Sequence, residues 1–244
     1  MALGADQIDP ASFTSIRLLS GALTLWGLVA IRRRRERVDH EKPGWQGSLM
    51  LFAYAACFSL AYVSLDTATG ALILFGAVQI TMIGVSIIKG ARPGGVEWLG
   101  LVLAFSGLVY LLLPGASAPS LLGFALMALS GIAWAFYTLG GKGSNKPLFD
   151  TALHFKRAVP MGLVMLLLAY GQWDLTLVGV GLAVLSGAFA SGIGYAIWYA
   201  ALRGLTTSRA AVLQLLVPVI AALGGVLFMQ EAITVRFMVA SLLV

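Results

Sequence analysis

The sequence predicts an all-α polytopic membrane protein: about nine transmembrane helices of a ten-helix fold built from two inverted five-helix repeats (5+5), with the first helix absent and the last truncated. Three observations predict it. Of 244 residues, 59% are apolar and 11% charged, against roughly 25% charged in a soluble domain, and the mean hydropathy is +0.93. The apolar residues fall into runs of about 20, the length that crosses a ~30 Å hydrocarbon layer. One hairpin also occurs twice with its charge sense reversed. AYVSLDTATGALILFGAVQITMIGVSIIKGAR (61–92) has an acidic turn at Asp66 and a basic one at Lys89–Arg92. AALRGLTTSRAAVLQLLVPVIAALGGVLFMQE (200–231) has a basic turn at Arg203–Arg209 and ends on Glu231. An offset of 139 aligns Thr67 with Thr206, Ala71 with Ala210, Leu74 with Leu213 and Val78 with Val217.

Taken in order, the apolar segments are 11–31, 45–64, 68–90, 96–113, 119–138, 151–171, 177–201, 206–229 and 233–244. Short turns make neighbours antiparallel. The last, ITVRFMVASLLV, offers 12 residues, about 18 Å at 1.5 Å per residue, too short to span. Segment 119–138 precedes the second copy of the hairpin and has no counterpart before residue 11. The expectation is therefore a first repeat over 1–114, lacking its first helix, and a second, inverted repeat over 115–244, with its last helix incomplete. Inverted repeats of this kind build many membrane carriers.

Loop charge sets the orientation. Arg32, Arg33, Arg34, Arg35, Arg37, Lys42, Lys89, Arg92, Lys142, Lys146, Arg203 and Arg209 fall on one side of the weave. The other side carries Asp66, the uncharged PGASAPS turn, Asp174 and Glu231, with Arg236 as its only nearby basic residue. Basic loops stay cytoplasmic, so loop 32–44 is expected in the cytoplasm and the chain in the cell (inner) membrane. The net charge of +6 thus speaks to topology, and no aromatic-plus-basic pattern suggests nucleic acid as a partner. The single cysteine, Cys57, excludes an intramolecular disulfide and a thiolate metal cluster. The start, MALGADQIDP, reads as neither a basic n-region nor a cleavage site.

IDPASFTSIRLLSGAL (8–23), GIAWAFYTLGGK (131–142) and above all LTTSRAAVLQLLVPVIAALGGVLFMQE (205–231), with Pro218 in mid-helix, carry a resemblance. Through them the chain resembles the EamA-like branch of the drug/metabolite transporter superfamily over nearly its whole length. The resemblance implies a ten-helix inner-membrane carrier moving small metabolites, often outward, from a central cavity. It places the cavity among the helices of segments 45–64, 68–90, 119–138, 177–201 and 206–229, and leaves the second, fifth, seventh and tenth family helices, including segments 11–31 and 151–171, more peripheral. The first repeat departs from the family pattern: Gln79 stands where a helix-four proline is usual, and Arg92 where an acidic residue is usual.

The segments carry polar and aromatic residues at i, i+4, which share a helix face. These are Tyr54, Phe58 and Tyr62; Phe75 and Gln79; Ser130 and Trp134, with Tyr137 one turn on; Ser191, Tyr195 and Tyr199; and Gln214 with Pro218. Polar groups at this depth face protein or a wet cavity. The candidate substrate-binding residues are Tyr54, Phe58, Phe75, Gln79, Ser130, Trp134, Tyr195 and Gln214. An aromatic at this spacing serves packing as readily as ligand contact, and Tyr62 and Tyr199, near segment ends, fit an interfacial belt. Pro218 frees a carbonyl, as a hinge or as a static kink. Arg17 and Arg157, related by an offset of 140 in opposite senses, either gate and attract an anion or snorkel to headgroups. His154 either carries a proton or is structural. SGAFASGIG (186–194) lets helices approach closely.

Asp66, Glu97, Asp150, Asp174 and Glu231 all lie at segment ends, so no mid-membrane carboxylate offers proton coupling. HExxH, P-loop and paired-aspartate signatures are lacking, and no metal or cofactor is expected. The sequence therefore reads as a non-enzymatic permease of small organic metabolites, amino acids or related compounds first. A drug or hydrophobic-amine efflux carrier and a non-transporting assembly or sensor subunit are the alternatives. A small-molecule substrate and the bilayer are the expected partners, and nothing selects a monomer over a homodimer.

Overall fold

The structure is a computed structural model that describes residues 3, 7–33, 44–90, 94–112, 119–142, 144–202, 204–205, 210, 213–214, 216–230, 232 and 234–243. Arg34, Arg35, Arg37, Lys42, Arg92, Arg203, Thr206, Arg209, Glu231 and most of the PGASAPS turn, invoked above, lie outside the described residues, as does the side chain of Glu97. Among the described residues nine helices follow one another: α1 (Pro10–Arg33), α2 (Gln46–Ala61), α3 (Thr67–Ile88), α4 (Gly95–Leu112), α5 (Leu121–Gly141), α6 (Pro147–Leu168), α7 (Leu177–Leu202), α8 (Leu216–Met229) and α9 (Val235–Leu243). Five of them, α1, α3, α5, α6 and α7, are long and apolar enough to cross a membrane. Large apolar side chains such as Leu23, Leu167, Leu177, Ile197, Leu227 and Phe228 are exposed on the outside of the bundle, as a protein solvated by lipid requires.

Local chemistry sets the helix starts. Asp9 Oδ1 accepts from Ser12 N at 2.9 Å ahead of Pro10, a side-chain cap followed by the residue best tolerated in a first helical turn. Ser120 Oγ caps α5 through Gly123 N at 3.1 Å, and Thr176 Oγ1 caps α7 through Gly179 N at 3.0 Å. Pro147 opens α6, which therefore begins four residues earlier than the apolar run suggests. Gly90 and Gly171, with φ of 88° and 87°, follow α3 and α6 in the left-handed conformation that ends helices.

Segment 177–201 is helical throughout but not α-helical throughout. Residues Ser186–Ile193 wind as a π-helix inside α7. This is the SGAFASGIG run, and close packing explains its composition: a Cβ on Gly187 would overlap Ser20 Oγ and the Arg17 carbonyl of α1. The widened turn sits where α1 and α7 touch most closely.

The packing runs as a chain of neighbours. α4 lies against α9 and α3, α3 against α8 and α5, α5 against α2, α2 against α6 and α1, and α1 against α6 and α7. Leu18, Leu25, Leu51, Ile73, Met127 and Phe155 form its solvent-free centre. At one end, Gln7–Asp9 pairs with the α6–α7 turn: Asp9 N donates to Asp174 O and Thr176 N to Gln7 O, both at 3.0 Å. Ser64 and Ser120 hydroxyls meet at 3.0 Å, joining two further connections. At the other end Arg157 Nη1 donates to Gly44 O at 3.2 Å. Gly44 and Ser144 thus share one end of the bundle, and Gln7–Asp9 and the α6–α7 turn share another.

Candidate functional site

The site grows from one residue. Arg17, on the second turn of α1, is 5% exposed. Its Nε donates to Ser191 Oγ at 3.0 Å, and its Nη2 donates to Tyr54 OH at 3.0 Å and Tyr195 OH at 3.4 Å. The guanidinium carbon stands 5.2 Å from the Tyr54 ring centroid and 5.0 Å from that of Phe58, within cation–π range. Nη1 is buried with no hydrogen-bond partner among the described residues. α1, α2 and α7 all meet at this group.

A continuous ring stack extends from it. Trp134 of α5 lies 5.0 Å from Tyr54 and 4.8 Å from Tyr195. Tyr137 lies 5.7 Å from Trp134 and 5.5 Å from both Tyr199 and His154. Phe155 of α6 packs edge-on against Tyr195 at 5.7 Å. Offset and edge-to-face ring pairs of this kind hold geometry beyond simple burial. Trp134 Nε1 donates to Gln214 Oε1 at 2.7 Å, while Gln214 Nε2 donates to the Ala210 carbonyl at 3.3 Å and reaches Met82 Sδ at 3.7 Å.

A cavity of about 180 Å³ lies below the stack, at the end of the bundle that carries Gly44 and Ser144. Tyr137, Tyr199 and His154 line it together with Gly47, Gly141 and Asp150. The rings that line the cavity are thus the far end of the stack that begins at Arg17.

Five of the sequence candidates, Tyr54, Phe58, Trp134, Tyr195 and Arg17, come together in one cluster, and Gln214 joins it through Trp134. Ser130 is adjacent, but its hydroxyl donates to the Tyr54 carbonyl at 2.9 Å and locks α5 to α2. Phe75 packs half-buried against the core. Gln79 is 6% exposed, and its Oε1 has no partner among the described residues. It lies three residues from Met82, hence on the face of α3 that Gln214 approaches. Pro218 is buried within α8, four residues beyond Gln214, which is itself helical. Arg157 stays at the rim, over the Trp45 ring at 4.8 Å, so the two arginines are not brought together.

Two expectations are corrected. α1 and α6 are not peripheral: the first supplies Arg17 and the second His154 and Phe155. Tyr199 is no belt residue; it is 3% exposed and its OH donates to the Tyr137 carbonyl at 3.2 Å. Phe155 and Met82 were missed because each looks like any other apolar residue in a helix. Tyr137 and Ser191 were visible as the next rungs of ladders already recognised.

Helices that can span a membrane and a lipid-facing apolar exterior define a multi-pass helical membrane protein. The EamA-like transporter family matches residues 121–244, and the chain belongs to that family. It is 51% identical to an uncharacterised protein of Pseudomonas aeruginosa, over all of this chain and 84% of that one. It is 29% identical to the uncharacterised transporter YwfM of Bacillus subtilis, over 96% and 81%. It is 28% identical to the threonine/homoserine exporter RhtA of Escherichia coli, over 91% and 74%. A crystal structure superposes with a TM-score of 0.70 at 18% identity, covering 99% of this chain and 87% of the other, which shows the shared fold.

Proposed function

We propose that this membrane transporter exports amino acids or closely related small metabolites by alternating access between two inverted halves, 1–114 and 115–244. The observation that carries the reading is the cluster of Arg17, Tyr54, Phe58, Trp134 and Tyr195, extended by Gln214. It puts charged, aromatic and amide groups in one place inside a lipid-solvated bundle, where packing alone would favour aliphatic side chains. Tyr54, Phe58, Gln79, Trp134, Tyr195 and Gln214 form the substrate side together with Arg17, with Phe75 and Ser130 packed behind them; Pro218 and Arg157 serve hinge and gating roles.

The inverted arrangement is supported by the packing. The Arg17–Arg157 offset makes α1 and α6 counterparts and α2 and α7 counterparts. α1 packs on α7, and correspondingly α6 packs on α2. Export is supported by the kinship with a threonine/homoserine exporter. A cell-membrane location with loop 32–44 in the cytoplasm follows from the charge asymmetry. The aromatic walls would also suit a hydrophobic amine, but the guanidinium repels a cation, which favours the amino-acid reading.

The test is efflux from proteoliposomes preloaded with a panel of labelled amino acids and cationic dyes. Loss of at least one amino acid, faster than from protein-free vesicles and from a Trp134→Ala variant, is the expected result. Loss of dyes alone selects the amine carrier, and loss of nothing removes the transporter assignment of the site.

A further inference from the structure

We infer that Arg17 is the carboxylate receptor of this transporter: the unpartnered Nη1 takes a carboxylate oxygen of the solute, whose body lies against the rings of Tyr54, Phe58, Trp134 and Tyr195. This rests on the reading of the chain as a carrier of amino-acid-like solutes and narrows it to monocarboxylates.

Donor accounting carries the inference. A guanidinium has five N–H donors and cannot be deprotonated in a protein. Nε–H goes to Ser191, and the Nη2 pair goes to Tyr54 and Tyr195. Both Nη1 protons are left over, on a side chain that is 95% buried (5% exposed). Every partner Arg17 has is a neutral hydroxyl; among the described residues no carboxylate contacts it. A buried charge left without a counter-ion is strongly unfavourable. The rings of Tyr54 and Phe58 offset part of this from the faces of the guanidinium, but they leave the Nη1 edge unsatisfied. An anion of single charge corrects the balance, and a carboxylate oxygen accepts a charge-assisted hydrogen bond from Nη1.

Snorkelling does not account for this arginine. Its head group turns sideways into α2 and α7 rather than along α1 toward the headgroups. Arg157 shows the alternative within the same bundle: half-buried, bonded to the Gly44 carbonyl and resting on Trp45 at the rim. The two arginines are equivalent by sequence offset but not by environment, and only Arg17 is held where a solute inside the bundle would meet it.

The ring stack links the cavity to the guanidinium. Tyr137 and Tyr199 line the cavity, Tyr137 contacts Trp134 and Tyr195, and those two rings adjoin Tyr54 beside the guanidinium. A solute entering from the cavity passes these rings and delivers its carboxylate to Nη1. With one orphan nitrogen, the site takes one carboxylate. A dicarboxylate finds no donor for its second carboxylate, and a decarboxylated amine gains nothing from the site.

The experiment pairs each acid with its alcohol. Purified wild-type protein in detergent is titrated with L-threonine, L-threoninol, 3-phenylpropionate and 3-phenyl-1-propanol, and binding is read from the rise in melting temperature with concentration. The same four solutes are followed in proteoliposome efflux. The expected result is a preference for each acid over its alcohol of about tenfold or more in affinity, the worth of a hydrogen bond to a charged group. In Arg17→Gln that preference disappears, and the solute-free melting temperature is equal to or above that of wild type. In Arg17→Lys, which keeps the charge but loses the fork, part of the preference remains. Equal stabilisation by acid and alcohol in the wild type overturns the inference without any variant. So does a preference that survives Arg17→Gln. Acid-selective binding through Arg17 with no efflux would uphold the receptor and discard the transport reading. Efflux that ignores the carboxylate would do the reverse.

Discussion

Trp134 Nε1 donates to Gln214 Oε1 at 2.7 Å, and the other end of the same amide reaches Met82. One side chain, 5% exposed, thereby ties the ring stack on α5 to α3 and to the segment leading into α8. The contact holds the plane of the indole that stands between Tyr54 and Tyr195.

Replacing Gln214 by leucine strands the buried indole N–H. An unsatisfied group of this kind costs about 1–3 kcal/mol, so the variant should melt below wild type in detergent. Efflux should fall while the amount of protein in the membrane holds. Unchanged efflux would place Gln214 outside the path of the solute.

Gln79→Leu should behave oppositely in stability. Gln79 Oε1 has no partner among the described residues, so leucine removes an unsatisfied acceptor, and the melting temperature should hold or rise. If Gln79 meets the solute, efflux falls all the same. Efflux unchanged from wild type would show that Gln79 does not meet the solute.

Gly187 should tolerate no side chain. Its Cβ would overlap Ser20 Oγ and the Arg17 carbonyl, so Gly187→Ala must part α1 from the π-helical turn. Overpacking of this kind costs about 1–3 kcal/mol. Gly181, on the same helix with nothing within 4 Å of a built Cβ, is the control: Gly181→Ala should hold or gain up to about 1 kcal/mol. Thermal denaturation of the two variants in parallel reads the difference, and equal melting temperatures would contradict the close packing of α1 on α7.

Topology is tested at Gly44, which is exposed and has open space around its Cβ. In a Cys57→Ala background, Gly44→Cys should react with an impermeant maleimide in inverted vesicles and not in intact cells. Reaction in intact cells would reverse the assigned orientation.

Much of the fold was legible because hydrocarbon imposes a length and a polarity on each span. The nine apolar segments correspond to the nine helices among the described residues. The π-helical turn was not legible: SGAFASGIG announces close approach, yet the winding follows from how α1 lies against Gly187. At the site, the i, i+4 ladders singled out Tyr54, Phe58, Trp134, Tyr195 and Gln214, since a helix face is a local property. What Arg17 does was not local. Its partners lie 37, 174 and 178 residues away, so its depth could be read from the chain but its burial could not. Ser130 shows the converse: polar and deep, as expected, but with its hydroxyl given to a neighbouring helix.

The central claim is that this bundle moves amino acids, and one measurement meets it most directly: efflux of preloaded L-threonine and L-homoserine from proteoliposomes containing the wild-type chain or Trp134→Ala. The expected outcome is release from the wild-type vesicles well above that from empty ones, with Trp134→Ala reduced toward the empty level. Release indistinguishable from empty vesicles, across these two and the wider amino-acid panel, would contradict it.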